Sequence, residues 1–221
     1  MSIKHLLEAR KSTRAFLDKP VELSIVNEVL DAARHAPSGV NTQPWKVAVV
    51  TGQTKNELTA AMESAFRGGE KGQMDYQYYP LDWQGDYKER RKDCGLRMYS
   101  ALEIERGDKQ RQMDQWAANY RAFDAPVMLL FLMDGIMETG SFLDYGMFIQ
   151  SVMLAAQEKG LATCPQAALG EYPKIVKNKL GYADDTILLC GMAMGYEDTS
   201  AAVNSYRTPR QEASEFTKIF E

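Results

Sequence analysis

Histidine is nearly missing from this chain: His5 and His35 are the two among 221 residues, so metal centres and Ser-His-Asp or Cys-His nucleophilic catalysis are thinly supplied. Cysteine is scarce as well. Cys94, Cys164 and Cys190 are odd in number, far apart and without CxxC spacing, which supports neither a disulfide framework nor a zinc site and leaves the expectation of three buried thiols and no metal. Long apolar runs are lacking, the best being the strand-sized Pro126 to Met133, against roughly 20 residues for a membrane span. Glu8 and Arg10 interrupt the region where a signal peptide would carry its apolar core, so a cytoplasmic protein is expected. An excess of basic charge is also absent: 26 Lys and Arg stand against 30 Asp and Glu, a net charge of −4, which argues against nucleic-acid or anionic-membrane binding and confines any anion site to a local patch. Repeats and familiar glycine signatures are missing too. Gly68 to Gly72 lacks the P-loop spacing, Gly191 to Gly195 is GxxxG and not GxGxxG, and no GxSxG elbow surrounds Ser38.

What is present is globular. An apolar share of 45% and a charged share of 25% predict one ordered domain over 1–221. Apolar spacing predicts helices over Ile3 to Arg10, Leu23 to Ala33, Asn56 to Phe66, Arg91 to Glu103, Lys109 to Arg121, Leu143 to Lys159 and Pro173 to Leu180. Continuous apolar runs predict strands over Lys46 to Thr51, Ala125 to Met133, Leu161 to Ala167 and Thr186 to Met194. Helices on both faces of a central sheet follow. The stretch from Arg67 to Asp93, rich in Gly and aromatics including Tyr76, Tyr78, Tyr79, Trp83 and Tyr87, reads either as a lid or as a packed excursion, and it opens an insert over about 67–121. From about 196 to 221 the chain turns polar and extended, a tail without a core of its own that is expected to lie on something else, such as a second subunit.

Four segments offer chemistry, each with a plainer alternative. Arg10-Lys11-Ser12-Thr13-Arg14 combines guanidinium forks and hydroxyls suited to phosphate, or is a basic helix end offsetting the macrodipole. Pro37-Ser38-Gly39-Val40-Asn41 and the following Thr42-Gln43-Pro44-Trp45 give orienting polar groups and a close backbone approach to a flat ligand, or a turn ending in a buried Trp. Thr163-Cys164-Pro165-Gln166-Ala167-Ala168, at the end of a strand, leaves backbone N–H groups open to a ligand, or makes a tight strand-to-helix turn. Arg207 and Arg210 give a second phosphate clamp or a solvated basic stretch. His35 reads as a helix-end charge partner more simply than as a base.

Taken in order, Arg10 to Arg14, Ala36 to Trp45, Gly160 to Ala168 and Val203 to Arg210 resemble the FMN-dependent nitroreductase family over almost the whole chain, and Leu143 to Gln150 with the aromatic insert looks like its nitrobenzoate reductase-like branch. The resemblance implies an α+β fold, a mixed central sheet of about four to five strands flanked by helices, in an intertwined homodimer with FMN at the interface. It implies cofactor contacts from Arg10, Lys11, Ser12, Arg14, Arg207 and Arg210 on the phosphate side, from Pro37, Ser38, Gly39 and Asn41 of the other subunit, and from Pro165, Gln166, Ala167 and Ala168 beside flavin N5. Many members carry Glu-Gly where Ala167 and Ala168 stand; since the backbone makes that contact, function survives while redox tuning and substrate preference are open to change. The implied activity is a two-step hydride mechanism, NADH or NADPH to flavin and flavin to a nitroaromatic or quinone-like acceptor, which needs no protein nucleophile. Enone reduction, reductive dehalogenation and slow-turnover flavin binding are the alternatives on the same scaffold.

Overall fold

The computed structural model describes residues 2–221. Among them the chain runs α1 (Ile3–Ala9), α2 (Leu23–Ala33), β1 (Lys46–Val50), α3 (Gly52–Arg67), α4 (Gly85–Ala101), α5 (Lys109–Ala117), β2 (Val127–Met133), α6 (Gly140–Glu158), β3 (Ala162–Gln166), α7 (Pro173–Leu180), β4 (Ile187–Gly195) and α8 (Ala213–Phe216). The sheet order is β1-β2-β4-β3, and every pairing of named strands is antiparallel. The parallel component of the expected mixed sheet is confined to one edge, where an isolated bridge joins Ser12 to Thr163.

The whole of β2 is buried, and its alternation divides two cores. Val127, Leu129, Phe131 and Met133 face one layer with Val26 and Val29 of α2 and Phe148 and Val152 of α6. Met128, Leu130 and Leu132 face the other with Leu58 and Met62 of α3 and Val176 of α7. Trp45 closes the first layer, stacked on Phe148 at 4.7 Å between ring centroids. The Tyr145 hydroxyl accepts from the Lys46 N–H at 2.8 Å and donates to the Leu132 carbonyl, tying α6 to two strands; burial pushes its ionisation well above the ordinary tyrosine range.

The α7 helix starts at Pro173 and stops at Gly181, whose φ of +75° is left-handed and whose N–H donates to the Lys177 carbonyl at 2.8 Å. A Cβ at Gly181 would meet nothing within 4 Å, so the backbone alone resists substitution. Gly181→Ala is expected to lower the unfolding free energy by about 1 kcal/mol, read from urea denaturation; an unchanged midpoint would contradict it.

Two sequence expectations are corrected. The fourth helix begins at Gly85 and not Arg91, because α4 buries none of its residues and so carries no apolar spacing to mark its start. For the same reason Cys94, expected as a buried thiol, is exposed, whereas Cys164 and Cys190 are buried. Burial raises both of those thiol pKa values, that of Cys190 to about 12.

Candidate functional site

Residues 10–14 leave α1 and run along the outer edge of β3, where the Thr13 N–H donates to the Thr163 carbonyl at 3.0 Å. The tail returns to meet them through Asn204, which is 3% exposed and fully engaged. Its Oδ1 accepts from the Arg14 N–H at 2.8 Å, and its Nδ2 donates to the carbonyls of Ala15 and Asp198, both at 2.8 Å. Lys11 completes the join: its ammonium donates to the Asn204 carbonyl at 2.7 Å and pairs with Glu197 at 2.6 Å. Lys11 thus holds the tail with the charge that the sequence offered to a phosphate.

The join encloses a cavity of about 440 Å³ lined by Arg10, Ser12, Arg14, Tyr206, Arg207 and Arg210, with Cys94 at its wall. Arg207 donates to the Glu8 carbonyl at 2.5 Å and to the Ala9 carbonyl, covering the last turn of α1, and Arg210 turns onto the Thr208 hydroxyl at 2.8 Å. The Arg14 guanidinium donates to the Tyr206 hydroxyl at 3.2 Å. Arg10 differs from all of these. Among the described residues its guanidinium has no hydrogen-bond or ion-pair partner, and its pKa is lowered by burial first and then by Arg210 and Arg207. Even so lowered, a guanidinium keeps its charge at neutral pH. Cations gathered against their own repulsion, with unused planar donors, fit a dianionic phosphate held bidentately.

A second cavity, of about 690 Å³, lies between the end of β3 and the aromatic insert. Pro165, Gln166 and Ala167 line it together with Tyr76, Tyr78 and Phe142. The Gln166 side chain turns away, its Nε2 donating to the Asn119 carbonyl at 2.9 Å, and its Oε1 is buried without a partner. Ala168 lies in the short turn Ala167–Gly170 and packs against the core shared by α3 and α7.

The third predicted segment stands apart. Within one chain Pro37, Ser38, Gly39 and Asn41 line neither cavity. Their loop is nonetheless tightly specified: the Gly39 N–H donates to the Asp144 carboxylate at 3.1 Å and the Gln43 N–H to the Ser38 hydroxyl at 2.9 Å. Val40, Asn41 and Gln43 hold φ values of +44°, +59° and +48°, left-handed conformations of non-glycine residues that persist only where their surroundings impose them. Val40 is 98% exposed. His35 is exposed and lines neither cavity.

Asn204, which fastens the tail beside the first cavity, and Asp144, which holds the loop at Gly39, both escaped the sequence reading. Asp144 had a signal available, a carboxylate inside the apolar stretch of α6, where a buried acid needs donors. Among the described residues no helix is long and apolar enough to cross a membrane.

Comparison with known proteins agrees over the full length of the chain. The Nitroreductase family model matches residues 7–196. The chain is 36% identical to the 4-nitrobenzoate reductase of Pseudomonas putida over 212 residues, covering 96% of this chain and 92% of that protein. It is 37% identical to the chloronitrobenzene nitroreductase of Comamonas testosteroni, covering 97% and 95%. The crystal structure of the FMN and NADPH-dependent nitroreductase NfnB from sphigopyxis sp. strain HMH superposes with a TM-score of 0.96 at 37% identity, covering all of both chains. On the family match, the full-length relatives and the shared architecture, this chain belongs to the nitroreductase family.

Proposed function

We propose that the chain is an FMN-dependent oxidoreductase that uses NADH or NADPH to reduce nitroaromatic or quinone-like acceptors, working as a cytoplasmic homodimer. The observation that carries this reading is the unpartnered Arg10 guanidinium facing Arg207 and Arg210 across one cavity. Arg10, Ser12, Arg14, Arg207 and Arg210 would hold the FMN phosphate, and the backbone of Pro165, Gln166, Ala167 and Ala168 would border the ring. FMN bound there would supply the hydride chemistry that links the nicotinamide to the acceptor. The protein's part is to bind, to orient and to keep one largely apolar cavity open beside the β3 end. Tyr76, Tyr78 and Phe142 give that cavity aromatic walls suited to a flat aromatic acceptor.

The dimer reading rests on what one chain leaves open. The strained loop at 37–41 reaches neither cavity, and Leu143 on α6 with Phe216, Ile219 and Phe220 of the tail are 69% to 89% exposed. Large apolar side chains left exposed in this number support a surface that another chain covers. A second copy would bring its loop 37–41 to the site and cover the apolar end of the tail at Phe216 to Phe220.

The test is anaerobic mixing of the FMN-loaded protein with NADPH and, separately, NADH. Loss of the flavin visible absorbance, restored by 4-nitrobenzoate, is expected. Flavin colour that persists under both nucleotides would instead identify a flavin binder, and a protein that takes up no FMN would overturn the reading entirely.

A further inference from the structure

The ladder between β2 and β4 is broken once: Phe131 pairs with Cys190, but Leu132 pairs with Leu188, so Leu189 is passed over. Such a bulge takes backbone polar groups out of the ladder, and buried groups of that kind need other partners. One dipeptide of the aromatic insert supplies them. The Tyr76 hydroxyl donates to the Leu189 carbonyl at 2.8 Å, and the Leu188 N–H donates to Asp75 Oδ2 at 2.9 Å.

Asp75 is itself held. Its Oδ1 pairs at 3.0 Å with the Lys177 ammonium, which also donates to the Asp184 carbonyl at 3.0 Å, and the Lys177 side chain is 6% exposed. Just upstream, the Gln73 N–H donates to the Glu171 carbonyl at 2.8 Å. The insert is therefore fastened to β4 and α7 at residues 73–76, whereas Tyr78 and Tyr79 are half exposed. Tyr76 packs on Phe142 at 4.7 Å between centroids, and both rings line the cavity that Pro165 and Ala167 also line.

We propose that Asp75, clamped by Lys177, is a positioning residue that fixes Tyr76 as a rigid wall and thereby limits the size of aromatic acceptor admitted beside Pro165. The inference rests on the functional reading above. On this proposal a second fused ring on the acceptor reaches Tyr76 and displaces it. That movement breaks the bond to Leu189 and strains the Asp75 contacts to Leu188 and Lys177 together. The segment read from sequence either as a lid or as a packed excursion is thus divided into a fixed root and a half-exposed crest.

The experiment compares nitrobenzene with a nitronaphthalene as acceptors for the full-length, FMN-loaded protein. The variants are Asp75→Asn, the charge-free pair Asp75→Asn/Lys177→Met, and Lys177→Arg, which keeps the cation. The pair is included because Asp75→Asn alone leaves a buried ammonium short of a counter-charge. Both Asp75 variants are expected to raise the ratio of kcat/KM for the larger over the smaller acceptor by about tenfold, chiefly through KM. Faster amide exchange at residues 73–80 with unchanged flavin content should accompany the shift, while Lys177→Arg keeps the wild-type ratio. An equal fall of kcat on both acceptors, or exchange unchanged in both Asp75 variants, would overturn the proposal. A wild-type protein whose flavin neither nucleotide bleaches would sink the functional reading alone, with the exchange measurement still deciding whether Asp75 anchors Tyr76.

Discussion

Replacing Arg10 by alanine is expected to weaken FMN binding by about a hundredfold, roughly 2.7 kcal/mol, the range in which charge-assisted hydrogen bonds to phosphate fall. The same change should leave the flavin-free protein as stable as before, or slightly more so. That opposite sign is diagnostic. In the free protein Arg10 has no partner among the described residues and stands against Arg207 and Arg210 with its pKa lowered, so removing it relieves burial of an unpaired charge and mutual repulsion. With FMN in excess, a ligand stabilises the folded state in proportion to the logarithm of its concentration over Kd, so the same roughly 2.7 kcal/mol should vanish from the flavin-loaded protein. Arg207→Ala cannot make this separation, because Arg207 also covers the carbonyls of Glu8 and Ala9 at the end of α1. Flavin content after gel filtration and a fluorescence titration with FMN are the measurements. Wild-type affinity in Arg10→Ala would contradict the phosphate assignment.

The contrast between Arg10 and Lys11 shows how far the sequence reaches. Both are cations of one short segment, and composition marks both as phosphate ligands. Only their partners separate them: Glu197 takes the Lys11 ammonium, and Arg10 is left with other arginines. Helices with an apolar stripe were legible to within a few residues, as with Leu23–Ala33 and Pro173–Leu180, since burial imposes a period that the sequence displays. The α4 helix has no buried residue and hence no stripe, and its first turns were read as loop. Strands β2 and β4 were legible as apolar runs, but their antiparallel pairing and their bulge were not. A strand apolar at every position shows no alternation from which to read register. Asp75 belongs to the same hidden class, its meaning set by a bulge 113 residues away.

Asn204→Ala is expected to lower the unfolding free energy by about 3 kcal/mol, read from urea denaturation of the flavin-free protein. The side chain is almost completely buried and serves three backbone groups at once, the Arg14 N–H and the carbonyls of Ala15 and Asp198. Alanine leaves all three without their partner, and each buried backbone group so orphaned costs about 1–3 kcal/mol before water relieves part of it. Asn204→Asp is the sharper probe. It keeps the acceptor for Arg14 but sets a carboxylate oxygen against two carbonyls, so it should be at least as destabilising despite its near-identical shape. The effect should also reach the anion cavity. Asn204 is where the tail is fastened to the segment of Arg10 and Arg14, and Arg207 and Arg210 follow it on the same strand of chain. Loosening that fastening frees two guanidinium groups from their stations, so FMN affinity should fall in Asn204→Ala although every cation is still present. Retained affinity alongside lost stability would mean that Arg207 and Arg210 are placed by the cap on α1 and the turn at Thr208, not by the Asn204 junction.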